Sequence, residues 1–454
     1  MLGEQGIVLG GCNLKKLSAL DRFFKLTERG TTVNTEIIAG FTTFVTLAYI
    51  ILVNPNVLSE AGIPKEAAIA ATILATVGTT LMVGLIANLP MASAPGLGLQ
   101  AFFTYTVVIG MGLTWQTALG AVFVSGVVFF ILTITGALQY IVKAIPEVLK
   151  ISISVGIGLF IAFIGLRAAG VVVADPNTLV AVGDLTQPAV ILSLLGVFVA
   201  AALMSRNVKG GLLIAILGTT AVGMLLGIFD SPKSFSDVFS LTPPKIGATF
   251  CQLDLLAAFK YGLVSIVFSF TIVEMFDNIG TLIGLTRRAG LVNEDGSIPN
   301  LNRFMLANSL GTMWSAIVGT CTVTTYVENA AGITEGGRTG LTAVVVAILF
   351  ALTMFFAPLV SLIPSYATAP ALIIIGALML QGITDIDFTD FSDALPAFLT
   401  IILMPLTYNI AQGIAFGFIS YAIIKPLTGK AKEVHWLVYI IAIVFVINFA
   451  LRLG

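Results

Sequence analysis

The chain has 454 residues, of which 57% are hydrophobic and 10% charged, and its mean hydropathy is +1.05. This composition argues against an ordinary water-soluble domain and favours a polytopic membrane protein, because about 20 apolar residues span a bilayer as a helix. The net charge of −1 gives no indication of nucleic-acid binding. We therefore expect the lipid bilayer to surround most of the surface.

Apolar runs predict an all-α protein of about fourteen transmembrane segments. Residues 1–34 are more polar and show no cleavable signal, so we expect them in the cytoplasm. The first half, 35–229, and the second half, 260–428, are joined by an extracytoplasmic connection, 230–259. Residues 429–454 contain a further apolar run that could also cross the membrane. The fourteen predicted spans are 35–53, 66–88, 94–110, 115–139, 148–169, 188–204, 209–229, 260–286, 302–319, 323–335, 340–362, 368–384, 394–407 and 409–427.

Basic residues are distributed unevenly between alternate loops. With a cytoplasmic N-terminus, the predicted inner loops hold most of the 22 lysines and arginines. This asymmetry satisfies the positive-inside rule and supports the fourteen-span topology in a cytoplasmic membrane. The outer side keeps only Lys65, Arg167, Lys233, Lys245, Lys260 and Arg452.

Two segments are unlike normal membrane helices. Residues 90–100 read PMASAPGLGLQ, and residues 319–340 read GTCTVTTYVENAAGITEGGRTG. Broken backbone at membrane depth is tolerated only where it lines a cavity or is buried in protein. Half-helices starting near Pro95 and Glu328 would direct free N–H groups at a shared point. Interrupted segments in corresponding positions of two halves predict a transporter's substrate site.

The two broken segments also occupy corresponding positions in a weak internal repeat. Thr117–Val124 matches Thr339–Val346 at five of eight positions, and Gly78–Gly96 can be aligned without gaps over Gly311–Asn329. Chance similarity between membrane helices is the alternative. Because seven spans per half is an odd number, true repeats would be inverted relative to each other in the membrane.

Glu274 and Asp277 are the only charges in the apolar run 261–286. A charge at the centre of a bilayer costs about 2.5–3.5 kcal/mol on insertion scales, so such residues are usually functional. Their i, i+3 spacing puts both on one helix face. We therefore predict that both contribute to substrate binding and to proton coupling. The alternative is a structural ion pair with a basic residue of another span.

Glu328 and Asn329 stand together at the predicted start of the second half-helix. A carboxylate and an amide can hydrogen-bond a planar heterocycle, and Gln100 adds an amide in the first broken segment. A helix-cap role is the alternative for the Glu328–Asn329 pair. For Gly96, close packing and approach of the backbone to a ligand remain equally open. We predict these four residues as substrate-binding.

Other candidate residues are expected to have structural or interfacial roles. Gly280 and Gly284 form a GxxxG pattern that predicts helix packing. His435, at the start of the last apolar run, is expected at the membrane interface. No cofactor or metal is expected, and the coupling ion would be a proton, although sodium is not excluded.

Several stretches resemble the adenine/guanine/hypoxanthine permeases, the azaguanine-type branch of the nucleobase–cation symporters. They are NLPMASAPGLGLQAFF (88–103), SFTIVEMFDNIGTL (269–282) and GTCTVTTYVENAAGITEGGRTGLTA (319–343). The resemblance implies a uracil-permease-like fold of two inverted seven-helix repeats with core and gate domains. It also implies proton-coupled purine uptake across the cytoplasmic membrane of a prokaryote, and a possible homodimer. The family's substrate residues fall on Gln100, Glu274, Asp277 and Glu328.

Three positions depart from the family's commoner residues. Gln100 replaces an Asn, Glu274 replaces an Asp, and Asn329 stands where Ser is frequent. These changes leave the preferred purine open. The alternative functions are a xanthine, uracil or anion carrier of the same fold, an intramembrane hydrolase that uses paired carboxylates, and a channel.

Overall fold

The computed structural model describes residues 19–260, 264–292, 298 and 300–452. Most of the predicted cytoplasmic segment 1–34, namely residues 1–18, lies outside the described residues, as does the C-terminal end of the 429–454 segment. The helices up to residue 229 are α1 (Ala19–Phe24), α2 (Val33–Leu47), α3 (Ile50–Glu60), α4 (Lys65–Met82), α5 (Leu97–Ala101), α6 (Trp115–Ile134), α7 (Ala137–Ala144), α8 (Glu147–Ala168), α9 (Pro188–Ser205) and α10 (Gly211–Leu225).

The second half repeats this largely helical pattern. Its helices are α11 (Leu255–Lys260), α12 (Val264–Arg288), α13 (Leu301–Val318), α14 (Asn329–Thr334), α15 (Gly340–Leu352), α16 (Ala357–Leu362), α17 (Ser365–Met379), α18 (Phe391–Leu406), α19 (Ile410–Leu427) and α20 (Trp436–Arg452). The strands of the chain are β1 (Ser93–Pro95), β2 (Val172–Asp175), β3 (Leu179–Val182) and β4 (Val323–Thr325). Two π-helical segments, Val83–Ala87 and Phe102–Gly110, extend α4 and α5.

The observed helices fit the predicted spans. Among the described residues, nine helical stretches are long and apolar enough to cross a membrane, and four shorter ones are also apolar. The shorter ones include α10, α18, α20 and the stretch formed by α5 and its π-helical extension. When α13 and the broken segment around α14 are added to these stretches and α20 is set apart, seven spans precede the 230–259 connection and seven follow it. The further apolar run becomes α20, which packs against α19.

The spans pack into two groups that each combine helices from both halves. In the first group, α2 packs against α14 and α15, α4 against α13 and α15, and α6 against α12 and α13. In the second group, α8 packs against α17 and α18, α9 against α10 and α17, and α18 against α19. We call the first group the core and the second group the gate. Such interleaving is the arrangement expected of two intertwined repeats.

Glycines let the helices approach closely within each group. A Cβ added at Gly340 would lie 1.9 Å from the carbonyl oxygen of Gly84 in the core, and one added at Gly376 would lie 2.4 Å from that of Gly158 in the gate. Small residues commonly allow this packing in membranes. Gly280 and Gly284 differ, because among the described residues nothing lies within 4 Å of an added Cβ. Within the described part of this chain, the prediction that this GxxxG pattern packs against another helix is wrong, since both glycines are exposed there.

The two broken segments meet as a short antiparallel strand pair. β1 pairs with β4 so that Ser93 faces Thr325 and Pro95 faces Val323. The prolines of 90–95 prevent a continuous helix, and the Thr- and Val-rich stretch favours extended backbone. All three residues of each strand are buried. Each strand therefore satisfies the other's backbone groups inside the protein, as membrane depth requires.

Helices begin again just after each strand, at Leu97 in α5 and Asn329 in α14. The gapless alignment of the two halves places β1 over residues 326–328, three residues beyond the position of β4. One feature was not predicted: β2 and β3 form a hairpin between α8 and α9. Its turn is stabilised by the Asp175 carboxylate, which accepts hydrogen bonds from the backbone N–H groups of Asn177 and Thr178 at 2.8 Å.

Candidate substrate-binding site

Helix α12 is fixed to the strand pair through Asn278. The amide oxygen of Asn278 accepts a hydrogen bond from the backbone N–H of Thr325 at 3.0 Å. Its amide nitrogen donates to the backbone carbonyl of Glu274, also at 3.0 Å. Because Asn278 follows Asp277 directly, this contact brings both acids of α12 to the point where the broken segments meet.

Glu274 is fully buried, and its two carboxylate oxygens differ in their contacts. Thr312 of α13 donates a short hydrogen bond to Glu274 Oε1, whereas Oε2 has no hydrogen-bond partner among the residues that the structure describes. Asp277 is half-buried and interacts with the side chain of Thr324 in β4. It also lies within electrostatic range of both Glu274 and Glu328. The structure thus brings the three predicted acids together.

Glu328 occupies the position before the first residue of α14. Its Oε1 accepts a hydrogen bond from the hydroxyl of Tyr49 at 2.7 Å, and its buried Oε2 has no hydrogen-bond partner within the described part of the chain. Tyr49 is fully buried at the break between α2 and α3. The backbone carbonyl of Glu328 also accepts from Thr46 at 3.4 Å. The first span of the chain therefore positions the acid that the second broken segment supplies.

Gln100 and Gly96 lie on the opposite broken segment. Gln100 is 1% exposed, and none of the described residues donates a hydrogen bond to its Oε1. The N–H of Gly96 donates to the carbonyl of Thr322 at 3.0 Å, and an added Cβ would lie 2.9 Å from Thr324 Oγ1. Of the two readings of Gly96, the contacts favour close packing of the two segments. Its approach to a ligand stays a prediction.

Asn329 is also close to the strand pair, but its side-chain amide already forms hydrogen bonds within the protein. Its oxygen accepts from the N–H of Ala92 at 2.7 Å, and its nitrogen donates to the carbonyls of Ala92 and Tyr326 at 2.9 and 2.7 Å. These bonds use both amide hydrogens. The geometry therefore does not support the expectation that this amide donates to a substrate, and instead makes Asn329 a bridge between the broken segments.

Several buried acceptors of the site have no partner among the described residues. They are Gln100 Oε1, Glu274 Oε2, Glu328 Oε2 and Thr322 Oγ1. Over the described part of the chain, no Lys, Arg or His forms an ion pair with the three acids, which removes the structural ion-pair alternative there. An unsatisfied buried polar group costs about 1–3 kcal/mol, so this arrangement is suited to a ligand that donates hydrogen bonds.

Four contributors to the site were missed by sequence reasoning. Tyr49 and Thr312 bond the two glutamates, Asn278 docks α12, and Tyr326 donates to the carbonyl of Pro95 across the strand pair. Tyr49 and Thr312 are polar residues within largely apolar runs, Tyr326 lies in a Thr-rich run, and Asn278 directly follows Asp277. Their polarity is a signal, but their partners lie far away in the sequence, so spacing alone does not identify the contact.

The site lies beside the boundary between core and gate. An added Cβ at Gly98 of α5 would be 2.5 Å from Ile157 Cγ2 of α8. Near one end of this boundary, Arg167 lies 3.5 Å from Glu60, which also accepts from Tyr105 at 3.0 Å. Elsewhere along it, Lys209 of the gate forms an ion pair with Glu335 of the core.

This fold and this buried acid cluster define a multi-pass membrane transporter. Residues 34–416 match the family model of the xanthine/uracil permeases, described as the Permease family. The chain belongs to this permease family, which consists of transporters and not enzymes. The resemblance seen in the sequence is thus confirmed.

Relatives with similar sequences carry specific names. The chain is 43% identical over 433 residues to the adenine permease AdeQ of Escherichia coli, covering 95% of this chain and 96% of AdeQ. It is 44% identical over 433 residues to the guanine/hypoxanthine permease PbuO of Bacillus subtilis, covering 94% and 99% respectively. Among solved structures, the transmembrane domain of the cyanobacterial bicarbonate transporter BicA has a TM-score of 0.66 at 16% identity, covering 84% of this chain and 97% of that one. This last likeness shows the fold and confirms the inverted-repeat prediction.

Proposed function

We propose that this permease takes up purine nucleobases in symport with protons. The observation that carries the proposal is the convergence of three carboxylates and one amide on the strand pair, with an unpartnered oxygen on each of Glu274, Glu328 and Gln100. The similarity of the chain to an adenine permease and to a guanine/hypoxanthine permease supports the substrate class.

The chemistry of the site suits a planar base rich in N–H groups. Purine bases carry ring and exocyclic N–H donors on their edges, and a carboxylate can accept two such bonds. Glu328 is the principal acceptor, because Tyr49 orients it and leaves Oε2 open. Glu274 and Gln100 supply acceptors from the neighbouring elements. Asn329 and Gly96 hold the two segments that carry these groups.

The mutual repulsion of the three acids provides a way to couple base transport to proton transport. Asp277 lies within electrostatic range of both Glu274 and Glu328, and no described cation pairs with them. Binding a proton removes one of the repelling charges, and nearby carboxylates titrate as a coupled group. We assign the proton to the Glu274–Asp277 pair. Sodium is the alternative ion, because carboxylates and backbone carbonyls also suit it.

An anion carrier is the alternative that the fold itself suggests. The BicA membrane domain has the same architecture and is named a bicarbonate transporter. Three acids without paired cations would repel a bound anion, whereas they favour a neutral base with N–H donors. The site therefore favours a nucleobase over an anion. Xanthine is a purine that differs from adenine in its pattern of donors and acceptors, and uracil is a smaller, single-ring pyrimidine, so both belong in the same assay.

Alternating access would come from movement of the core against the gate around this site. The core holds every acid of the site, and the gate helices α8 and α19 contact α12, the core helix that carries Glu274 and Asp277. We infer a cytoplasmic N-terminus from the positive-inside asymmetry. The bacterial relatives support a cytoplasmic membrane of a prokaryote as the location. A homodimer remains an expectation from the family resemblance.

Uptake by cells expressing the chain tests the proposal directly. Cells lacking their own purine permeases would be given radiolabelled adenine, guanine, hypoxanthine, xanthine or uracil, with bicarbonate as the anion control. We expect saturable uptake of at least one purine that is abolished by a protonophore. Uptake of bicarbonate, or of uracil alone, would contradict the proposed substrate class. Equal uptake with and without a proton gradient would contradict the coupling.

A further inference from the structure

Two neighbouring cavities lie away from the substrate site, beside helices α7 and α20. The first, which we call the basic cavity, has a volume of about 500 Å³ and is lined by Lys143, Lys150, Lys432, His435 and Tyr421, among others. The second, which we call the apolar groove, has a volume of about 520 Å³ and is lined almost entirely by aliphatic and aromatic side chains of α6, α12 and α20.

The two cavities adjoin each other along the same two helices. On α7, Ile141 lines the apolar groove and Lys143 lines the basic cavity. At the start of α20, Leu437 lines the apolar groove and His435 lines the basic cavity. A polar compartment and an apolar compartment thus meet within two residues on each helix, which is the arrangement that an amphipathic ligand requires.

Aromatic side chains mark the junction between the compartments. The indole nitrogen of Trp436 donates to the hydroxyl of Tyr140 at 3.0 Å, and the ring of His435 lies 3.2 Å from that hydroxyl. The Tyr140 and His435 rings pack edge to face with centroids 5.4 Å apart. Trp and Tyr concentrate at the level of lipid headgroups, so this cluster places the basic cavity at the membrane surface.

The charges of the basic cavity leave two lysines without carboxylate partners. Lys150 pairs with Glu147 at 2.7 Å, and Glu433 is bonded by the buried Lys425 at 2.9 Å. Over the described residues, Lys143 and Lys432 form no ion pair, and both are exposed. Their ammonium groups are therefore available to a ligand that carries a negative charge.

The apolar groove in turn suits a hydrocarbon chain. Val128 of α6, Phe268 and Ile272 of α12, and Val444 of α20 are among its lining residues. Such a surface offers water almost no hydrogen bonds, so water is a poor occupant. α12 and α6 belong to the core, whereas α20 packs against α19 of the gate. The occupant would therefore contact both groups of helices.

We propose that the basic cavity and the apolar groove together bind one anionic phospholipid. Its phosphate lies between Lys143 and Lys432, and one acyl chain lies in the apolar groove. Anionic lipids are attracted to basic residues at the membrane surface, each contributing about 1 kcal/mol, or about fivefold in affinity. Acyl-chain burial adds an apolar contribution that a soluble phosphate compound lacks. The positive-inside expectation assigns this lipid to the cytoplasmic leaflet.

Lipid binding to the purified full-length permease tests the charge requirement. Native mass spectrometry would compare phosphatidylglycerol with phosphatidylcholine of identical acyl chains, for the unchanged chain and for Lys143→Gln/Lys432→Gln. We expect preference for phosphatidylglycerol, and a loss of about fivefold in its affinity for each lysine removed. Lys233→Gln/Lys245→Gln, at exposed lysines of the 230–259 connection, is the matched control and should bind normally. Equal binding of both lipids, or no effect of the cavity variant, would overturn the proposal.

Two further experiments test whether the apolar groove holds an acyl chain and whether the bound phosphate belongs to a lipid. Ile440 lines the groove and is 46% exposed, so Ile440→Trp should fill the groove without disturbing the core of the fold. We expect this variant to weaken phosphatidylglycerol binding while its melting temperature without lipid stays unchanged. Glycerol 3-phosphate should neither bind at lipid-saturating concentrations nor displace the lipid. Displacement of the lipid by glycerol 3-phosphate would show a free-phosphate site and overturn the lipid assignment. Normal lipid binding by Ile440→Trp would show that no acyl chain lies in the apolar groove and would overturn it as well.

Discussion

Tyr49 donates a 2.7 Å hydrogen bond to the Glu328 carboxylate across 279 residues of sequence. The bond fixes one oxygen of the acid and leaves the other, which is buried, without a partner. It also joins the first span of the chain to the second broken segment. The proposed ligand-binding carboxylate is thus positioned in advance by a residue from the other half.

Glu328→Gln should strongly weaken purine binding. The substitution keeps the shape of the side chain but removes the charge, and truncating one partner of a buried charged hydrogen bond typically costs about 2–5 kcal/mol. Equilibrium binding of labelled purine to purified protein measures the loss. Glu335→Gln is the control, because Glu335 is paired with Lys209 outside the cluster of acids. Unchanged affinity in Glu328→Gln would remove Glu328 from the site.

Tyr49→Phe should weaken purine binding less than Glu328→Gln does. The ring remains, but Glu328 loses its donor, and a hydrogen bond to a charged group contributes about 1.5–3 kcal/mol. We therefore expect at least a tenfold rise in the dissociation constant. Tyr439→Phe, on α20, should leave binding unaltered. If Tyr49→Phe bound purine like the unchanged protein, the positioning role of Tyr49 would be wrong.

Asp277→Asn should separate substrate movement from the proton gradient. Removing one of two neighbouring acids abolishes their coupled titration. We expect exchange of labelled for unlabelled purine across proteoliposomes to persist, while accumulation driven by a pH gradient falls to the level of a protonophore-treated sample. The same assay with varied sodium at constant pH distinguishes the two ions. Loss of exchange together with retained proton dependence of residual uptake would reverse the assigned roles.

A cross-link between core and gate should stop transport. A Cβ added at Gly98 would lie 3.8 Å from the Cβ of Ile157, which is a typical separation for a disulfide. Gly98→Cys/Ile157→Cys, in a background without the three native cysteines, should lose uptake on oxidation and regain it on reduction.

A matched pair within the gate provides the control for this cross-link. An added Cβ at Gly196 would lie 3.6 Å from the Cβ of Thr219, and both residues belong to gate helices. Oxidation of Gly196→Cys/Thr219→Cys should therefore spare uptake. If both oxidised pairs were inactive, or both active, movement of the core against the gate would not account for transport.

Glu36→Gln should destabilise the fold at the start of α15. Glu36 is fully buried, and its carboxylate accepts from the N–H groups of Arg338 and Thr342 at 2.8 and 3.1 Å and from the Thr342 hydroxyl. Hydrogen bonds to a charged group contribute about 1.5–3 kcal/mol each, so we expect a clearly lower melting temperature in detergent. Glu66→Gln, at the exposed first turn of α4, should melt normally. Equal melting of both variants would contradict the role of Glu36.

The sequence supported prediction of the fold and of the elements that form the site. Charge within an apolar run is energetically exceptional, so Glu274 and Asp277 could be identified without a structure. Likewise, Pro and Gly in 90–100 and the Thr-rich run near 320 interrupt helices for local reasons. These features also predicted that the two broken segments would face each other, and they pair as β1 and β4.

Partners distant in the sequence could not be predicted in this way. The amide of Asn329 looked available for a ligand, but Ala92, 237 residues away, occupies it. Gly280 and Gly284 have the spacing of a packing motif, yet packing depends on what stands opposite, and their face is open. Glu36 lies at the edge of an apolar run, where an acid is unremarkable until α15 is placed against it.

The pairing of β1 with β4 also constrains how the protein is made. Ser93 and Thr325 are 232 residues apart, so a ribosome must synthesise more than two thirds of the chain before β1 meets its partner. Until then, the backbone N–H and C=O groups of 93–95 have no partner strand, and exposing them to lipid hydrocarbon costs free energy. The first half therefore needs a sheltered, hydrated intermediate during insertion. Chains that stall before residue 325 should remain accessible to membrane quality-control proteases at this point.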